Sequence, residues 1–306
     1  MISGLGAINI VFLLGLSLGM GLVVRSNDWL LGWVGLELNI LSFLPLIIKE
    51  EGNGAESAIK YFMVQAIARQ IFVLGAVFLK SSYMFNVLVL VSLCLKLGVA
   101  PFHFWYASVA QGLTWGQNII LIVIQKIGPL HLMFSGLHSI NRFVIFLIIS
   151  SCVVGGLGGL NQRQLRKMMA YSSINHISWT ISAMVRSRWL WLKYYAVYCF
   201  IRIYLIFQFI KANLFSVDSL TRVTGDRGVI SISIRLLRLG GLPPFLGFVP
   251  KWRVIYILRA AGGGALGVFL ATFTLISLYF YVRLTWGFMG ITGTKLVNPR
   301  VRISST

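Results

Sequence analysis

The sequence predicts an all-α, polytopic transmembrane helix bundle of about ten spans, with two proline-broken helices in an inverted-repeat arrangement. Three observations predict it. The chain has 306 residues, of which 58% are hydrophobic and 11% charged, whereas a soluble domain carries about 25% charged residues. So few charges cannot coat a water-soluble globule, and so much apolar content excludes a disordered chain. Apolar runs long enough to cross a bilayer recur along the whole chain, separated by short polar stretches. Two of those runs contain Gly/Pro clusters, Gly98-Val99-Ala100-Pro101 and Gly240-Gly241-Leu242-Pro243-Pro244.

Taken in order, residues 1–24 carry no charge and form the first span. They lack a basic n-region and an Arg/Ser-rich amphipathic stretch, so this segment is expected to be retained as a helix and not cleaved as a leader. Residues 25–28 are a tight turn. Residues 29–48 form span two, interrupted only by Glu37. A polar loop at 49–56 leads to span three, 57–79, with Arg69 inside it. Span four, 83–105, contains Lys96 and Pro101, and span five, 115–136, contains Lys126 and the Gly128-Pro129 pair. Span six is 143–160, followed by a basic loop at 161–167. Spans seven and eight are 168–185 and 189–209, and 211–227 is the longest polar loop. Span nine lies within 228–258 and span ten within 260–289. The tail from residue 290 is polar and basic. Residues 1–306 are read as one transmembrane domain, broken near 83–105 and 228–258.

The charge balance limits function. Lys plus Arg total 27 against 7 Asp plus Glu, a formal net charge of +20. The basic residues stand singly or in pairs at the ends of apolar runs, with no basic domain outside them. They anchor loops on an anionic lipid surface and do not form a nucleic-acid footprint. Cys94, Cys152 and Cys199 are far apart in sequence, which excludes CxxC and iron–sulfur spacings. His103, His131, His138 and His176 show no metal-ligand clustering. No glycine-rich phosphate loop is present.

Four ionisable residues lie deep in the spans. Glu37 is eight residues past Trp29, ~12 Å along a helix. Lys126 is eleven residues past Trp115, ~16 Å along. Lys96 and Lys251 flank the two proline breaks. Unpaired, the four would cost roughly 10–14 kcal/mol on insertion scales, so they are expected to face one another, or water, inside the bundle. In a dry site both ionised forms are costly and an opposite charge restores them, so such groups can hold or pass a proton. The alternative for each is a structural role, and for the breaks it is proline kinks used in packing. His103, beside the first break, reads equally as a relay member or a packing histidine. His176 reads as an interhelical hydrogen-bonding residue. Arg25, Lys49 and Lys80 snorkel at span ends. Arg69, Lys193, Arg202, Arg235 and Arg238 do likewise or face a partner subunit. The two breaks lie five spans apart and so cross in opposite directions, the pattern of an inverted-repeat transporter.

Six ordered blocks carry a resemblance. They are Trp33-Val34-Gly35-Leu36-Glu37-Leu38-Asn39 with Phe43 and Pro45, and Ile59-Lys60-Tyr61-Phe62 with Val64-Gln65-Ala66. Next come Leu95-Lys96-Leu97-Gly98-Val99-Ala100-Pro101-Phe102-His103-Phe104-Trp105 and Gln125-Lys126-Ile127-Gly128-Pro129-Leu130. The last two are Gly158-Gly159-Leu160-Asn161-Gln162 through Ser172-Ser173-Ile174, and Gly240 to Phe248 with Pro250-Lys251-Trp252. Together the chain resembles the mitochondrial NADH dehydrogenase subunit 2 family over about residues 29–287.

The resemblance implies an antiporter-like, proton-translocating membrane-arm subunit of respiratory complex I (NADH:ubiquinone oxidoreductase), multi-pass in the mitochondrial inner membrane. Its partners would be other membrane-arm subunits and phospholipids, with no nucleic acid. It implies no cofactor in this chain: NADH, flavin, iron–sulfur clusters and ubiquinone would be bound by other subunits, whose redox chemistry drives proton movement here. Residue by residue, Glu37 matches the glutamate of the family's polar axis and Lys96 its lysine partner. Lys126 matches the connecting lysine, Lys251 the terminal lysine, and His103 a histidine beside the first break. Family members commonly carry one more C-terminal span, so ten spans are expected here, not eleven. The competing readings are a structural membrane-arm subunit without proton transfer of its own, and a free-standing cation/proton antiporter.

Overall fold

A computed structural model describes residues 7–48, 54–78, 83–136, 142–217, 219 and 226–297. Helices account for nearly all of them. The single departure of note is an isolated antiparallel bridge between Gln164 and Ser216.

Helices α1 (Ala7–Arg25) and α2 (Trp29–Ile48) form a hairpin about the short polar turn at 26–28. They cross where neither helix carries a side chain. A Cβ on Gly35 would lie 2.7 Å from the Gly19 carbonyl, and one on Gly19 would lie 2.8 Å from the Gly35 carbonyl. Small residues let backbones approach closely where lipid supplies no hydrophobic drive to associate. Helix α3 (Gly54–Val73) runs on into a π turn, Leu74–Phe78.

Helix α4 (Tyr83–Leu97) stops at Gly98, whose φ of +67° is the left-handed conformation that ends helices. The Val99 N–H donates to the Cys94 carbonyl at 3.0 Å, the six-to-one closure of a Schellman turn. The chain resumes as α5 (Phe104–Gly112). Carbonyls freed at this interruption find side-chain donors. Trp105 Nε1 donates to Leu95 at 3.1 Å, and Ser150 Oγ donates to Ala100 at 2.9 Å. This is the condition for irregular backbone inside a membrane protein.

Helix α6 (Trp115–Ile119), a π turn (Ile120–Ile124) and α7 (Gln125–Gly136) make one long rod. Helices α8 (Arg142–Leu157), α9 (Leu165–Met184) and α10 (Arg188–Lys211) follow. Helix α11 (Asp226–Gly240) ends much as α4 does. Gly241 has φ +80°, and its N–H donates to Leu237 at 3.1 Å. The chain resumes as α12 (Phe248–Ala260) and closes with α13 (Gly264–Val297).

Helix α9 is the axis of the molecule. Nearly every one of its residues is buried, including Ser172, Ser173, Asn175, His176, Ser178, Thr180 and Ser182. A helix this polar can sit inside because its hydroxyls bond back to its own carbonyls. Ser178 donates to Asn175 at 2.6 Å, Thr180 to Ile177 at 2.8 Å and Ser182 to Ser178 at 2.6 Å. The outer surface is apolar, with Leu18, Ile59, Phe200, Tyr256 and Trp286 more than half exposed. Aliphatic and aromatic side chains turned outward are what a lipid solvent accommodates.

Among the described residues, four helical stretches are long and apolar enough to cross a membrane: Trp29–Ile48, Trp115–Gly136, Arg188–Lys211 and Gly264–Trp286. Shorter apolar helices run over Asn9–Arg25, Asn86–Leu97 and Arg142–Leu157. Helix α9 is long enough to span but too polar in composition, and its polar groups are buried against protein. Several boundaries differ from the sequence reading: α3 starts at Gly54, inside the expected loop at 49–56, and α5 runs to Gly112, past the expected span end at 105. Helix α9 begins at Leu165, inside the expected basic loop, where the Leu165 N–H donates to the Phe215 carbonyl at 3.1 Å. Helix α13 continues through the expected polar tail to Val297, since nothing before Pro299 forbids helical backbone. Lys49, Lys80 and His138 lie outside the described residues.

Candidate functional site

The deep charges converge on α9 from both interruptions. Glu37, on α2, is partly buried, and its Oε2 accepts from Arg69 Nη1 of α3 at 2.8 Å. The sequence reading paired Glu37 with Lys96 and turned Arg69 toward lipid headgroups or a neighbour. In the structure Arg69 turns inward to bind Glu37, while Lys96 lies within reach of the Glu37 charge without a hydrogen bond to it. The guanidinium is long and carries five donors in a fork suited to a carboxylate, so Arg69 reaches across the α2–α3 seam. Glu37 Oε1 is left buried without a partner.

Lys96 is buried in the last turn of α4, beside the interruption, and its Nζ has no hydrogen-bond partner. The negative end of the α4 dipole favours a cation there. Lys96 and Lys126 line one small cavity together with Asn39, Tyr61, Gln65, Tyr106 and Gln125. About 10 Å³ of it is open to a water centre, room for about one molecule. Amide side chains wire its wall. Tyr61 Oη donates to Gln125 Oε1 at 3.3 Å, and Gln125 Nε2 donates to Asn39 Oδ1 at 3.2 Å.

Lys126 lies two residues past the π turn at Ile120–Ile124, an irregularity frequent at functional sites. Its Nζ donates to Ser173 Oγ of α9 at 3.0 Å and lies 4.5 Å from the Tyr106 ring centroid. One turn further along α9, His176 Nδ1 is 2.9 Å from Tyr194 Oη, and its ring packs on Tyr198 at 4.7 Å. A second cavity of similar size lies between His176, Tyr194, Tyr198, Gly247 and Pro250, against the second interruption. Lys251, in the first turn of α12, reaches back so that Nζ donates to the Gly240 carbonyl at 2.8 Å, and it lies 5.9 Å from the Trp179 ring. Gly240 is the last residue of α11, so this amine too sits at a helix C-terminus.

The structure thus brings four of the five sequence-selected residues inside the bundle. His103 is the exception. It sits half-exposed on the outer side of the first interruption, its ring on Phe104 at 4.2 Å and its Nδ1 3.2 Å from the Pro101 carbonyl. It does not line the cavity that holds Lys96 and Lys126. Arg202 is the reverse case. Read from sequence as a snorkelling or subunit-facing residue, it is fully buried on α10 and donates to Met169 O at 2.8 Å and to Ser172 Oγ. The sequence reading also passed over Asn39, Gln65 and Gln125 as wall residues. A signal existed, since three amides inside apolar runs are uncommon. Arg235 stacks on Tyr204 at 4.2 Å, part-way to the surface. No group of three or more His, Cys, Asp or Glu suited to a metal occurs among the described residues.

The family of NADH:quinone oxidoreductase/Mrp antiporter transmembrane proteins matches this chain over residues 79–277. NADH-ubiquinone oxidoreductase chain 2 of Anopheles gambiae is 40% identical over 291 residues, covering 91% of this chain and 85% of that protein. The protein of the same name from Aedes aegypti is 41% identical over 291 residues, with coverage of 91% and 85%. A chain in the structure of respiratory complex I from Thermus thermophilus with bound aureothin superposes with a TM-score of 0.81. It is 22% identical and covers 95% of this chain and 76% of its own length, a likeness of fold. A helical membrane bundle with an interior row of amines, matched along nearly its whole length by relatives of one name, belongs to the NADH-ubiquinone oxidoreductase chain 2 family.

Proposed function

We propose that this chain is a proton-translocating membrane-arm subunit of a respiratory NADH:ubiquinone oxidoreductase in the mitochondrial inner membrane. Redox chemistry in other subunits, which would bind NADH, flavin, iron–sulfur clusters and ubiquinone, drives proton movement through this one. Its partners are neighbouring membrane-arm subunits and phospholipids. In this reading residues 1–306 form one domain of ten spans, and the interrupted segments α4–α5 and α11–α12 are counterparts in an inverted pair.

The observation that carries the proposal is the shared cavity of Lys96 and Lys126 beside a helix end. Two buried amines facing one water-sized space, with no carboxylate bonded to either, form a site where a proton can be held on one group and passed to the next. From Lys126 the row continues through Ser173 and His176 toward Lys251. Glu37, held by Arg69, supplies the negative charge at the other end.

The test is Lys96→Met and Glu37→Gln in the assembled complex. Both variants are expected to assemble and to lose coupled NADH:quinone turnover and proton uptake. Full turnover and pumping in both assembled variants would refute proton translocation. Loss of assembly with normal specific activity of the residual complex would favour a structural subunit. Transport by the purified chain alone would favour a free-standing cation/proton antiporter.

A further inference from the structure

Arg202 is the most buried charge among the described residues, with no exposed surface. Its Nη1 donates to the Met169 carbonyl at 2.8 Å and its Nη2 to Ser172 Oγ, while Nε has no partner. The guanidinium lies 5.2 Å from the Tyr198 ring centroid. A guanidinium in a protein does not give up its proton. This is therefore a permanent cation inside the bundle, and the structure supplies it with hydroxyls, a carbonyl and an aromatic face in place of a counter-ion.

The titratable groups that its charge reaches lie on α5, α7, α9, α10 and α13, Tyr194 of α10 among them. Lys126 on α7 and His176 on α9 feel its charge, as does Tyr106 on α5. So do Tyr198 and Cys199 on α10 and Tyr281 on α13. None is a carboxylate. The nearest relation is with Lys126. That amine bonds Ser173 and Arg202 bonds Ser172, so two cations end on adjacent hydroxyls of one helix turn. Holding α9 to α10 does not call for a charge, since a neutral donor or an apolar side chain would do so at lower desolvation cost.

We propose that Arg202 is an electrostatic positioning residue, a fixed positive charge that limits whether Lys126 and His176 carry a proton at the same time. It rests on the proton-translocating reading above. Each proton entering the row beside Arg202 meets a repulsion that cannot relax by deprotonation of the neighbour. Lys126 then hands its proton on instead of storing it. A lysine at position 202 could itself shed its charge, so the inference depends on the guanidinium and not merely on a basic residue.

The experiment compares Arg202→Gln and Arg202→Lys in the assembled complex, with pH profiles of coupled NADH:quinone turnover in sealed vesicles. Glutamine keeps a donor for Ser172 and removes the charge. Its profile is expected to move to higher pH by about one unit, because the row retains its protons longer when the repulsion is gone. The lysine variant is expected between glutamine and the parent. Superimposable profiles for all three proteins would overturn the inference, leaving Arg202 as an interhelical tie. Loss of assembly in both variants would overturn it in the same way. Lys96→Met, run in parallel, separates the two claims. If that variant and Glu37→Gln both keep full turnover and pumping, proton translocation itself fails and the role of Arg202 falls with it. If Lys96→Met loses turnover while the Arg202→Gln profile stays put, only the role of Arg202 falls.

Discussion

Replacing Arg69 by glutamine would remove the guanidinium that holds Glu37 Oε2 at 2.8 Å and leave a carboxylate of 12% exposure with no ion-pair partner. The size of the effect follows from the geometry. Unit charges about 4 Å apart attract by ~4 kcal/mol at an effective dielectric of about 20. The Arg69 side chain is 34% exposed, so solvent screening lowers this, and ~2 kcal/mol is a reasonable coupling for a half-buried pair. A double-mutant cycle with Glu37→Gln isolates it. The assay is the urea concentration at which detergent-solubilised complex releases this subunit, converted to free energy for the four proteins of the cycle. Arg69→Gln alone is expected to lose most because it strands Glu37, and the double variant is expected to recover part of the loss. The coupling should come out near ~2 kcal/mol. Additivity within about 0.5 kcal/mol would refute the pairing and return Glu37 to Lys96.

Three further outcomes follow from the same geometry. Lys251→Met strips the donor from the buried Gly240 carbonyl, at ~1–3 kcal/mol. Coupled turnover of the assembled variant is expected to fall by about tenfold or more, measured as NADH:quinone activity. Gly155→Ala would set a methyl 2.4 Å from the Asn175 backbone nitrogen and force α8 away from α9. It is expected to cost ~1–3 kcal/mol in the same urea release assay. His103→Ala is expected to leave turnover and its pH profile unchanged, because the ring packs on Phe104 outside the Lys96 cavity. A lost or shifted profile would return His103 to the row.

Much of this protein is legible as a string of residues, and what is legible has a common physical origin. Apolar runs bounded by polar turns set α2, α8 and α10 within a few residues, because hydrocarbon thickness dictates helix length. Gly98 and Gly241 mark both interruptions, because left-handed backbone costs an L-residue dearly. Glu37, Lys96, Lys126 and Lys251 stand out because a charge in mid-span needs a partner. The misreadings share an origin as well. Arg202 and His103 lie within about two turns of a segment end or break, and Arg69, though at mid-span, has a side chain long enough to snorkel outward or reach inward. Only the neighbouring helix decides between these. For Arg69 it is the carboxylate of α2, and for Arg202 the hydroxyl and carbonyl of α9.

By itself, then, the order of residues determined that this chain is a helical membrane bundle, where its helices break and which amines pay the cost of burial. The tertiary structure decided which charges meet. A carboxylate chooses its partner by distance and direction across a helix seam, and hydropathy along one chain contains neither. The same holds for α9, legible as a span but placed at the centre only by α5, α8, α10, α12 and α13 packing around it, with its hydroxyls bonded to its own backbone.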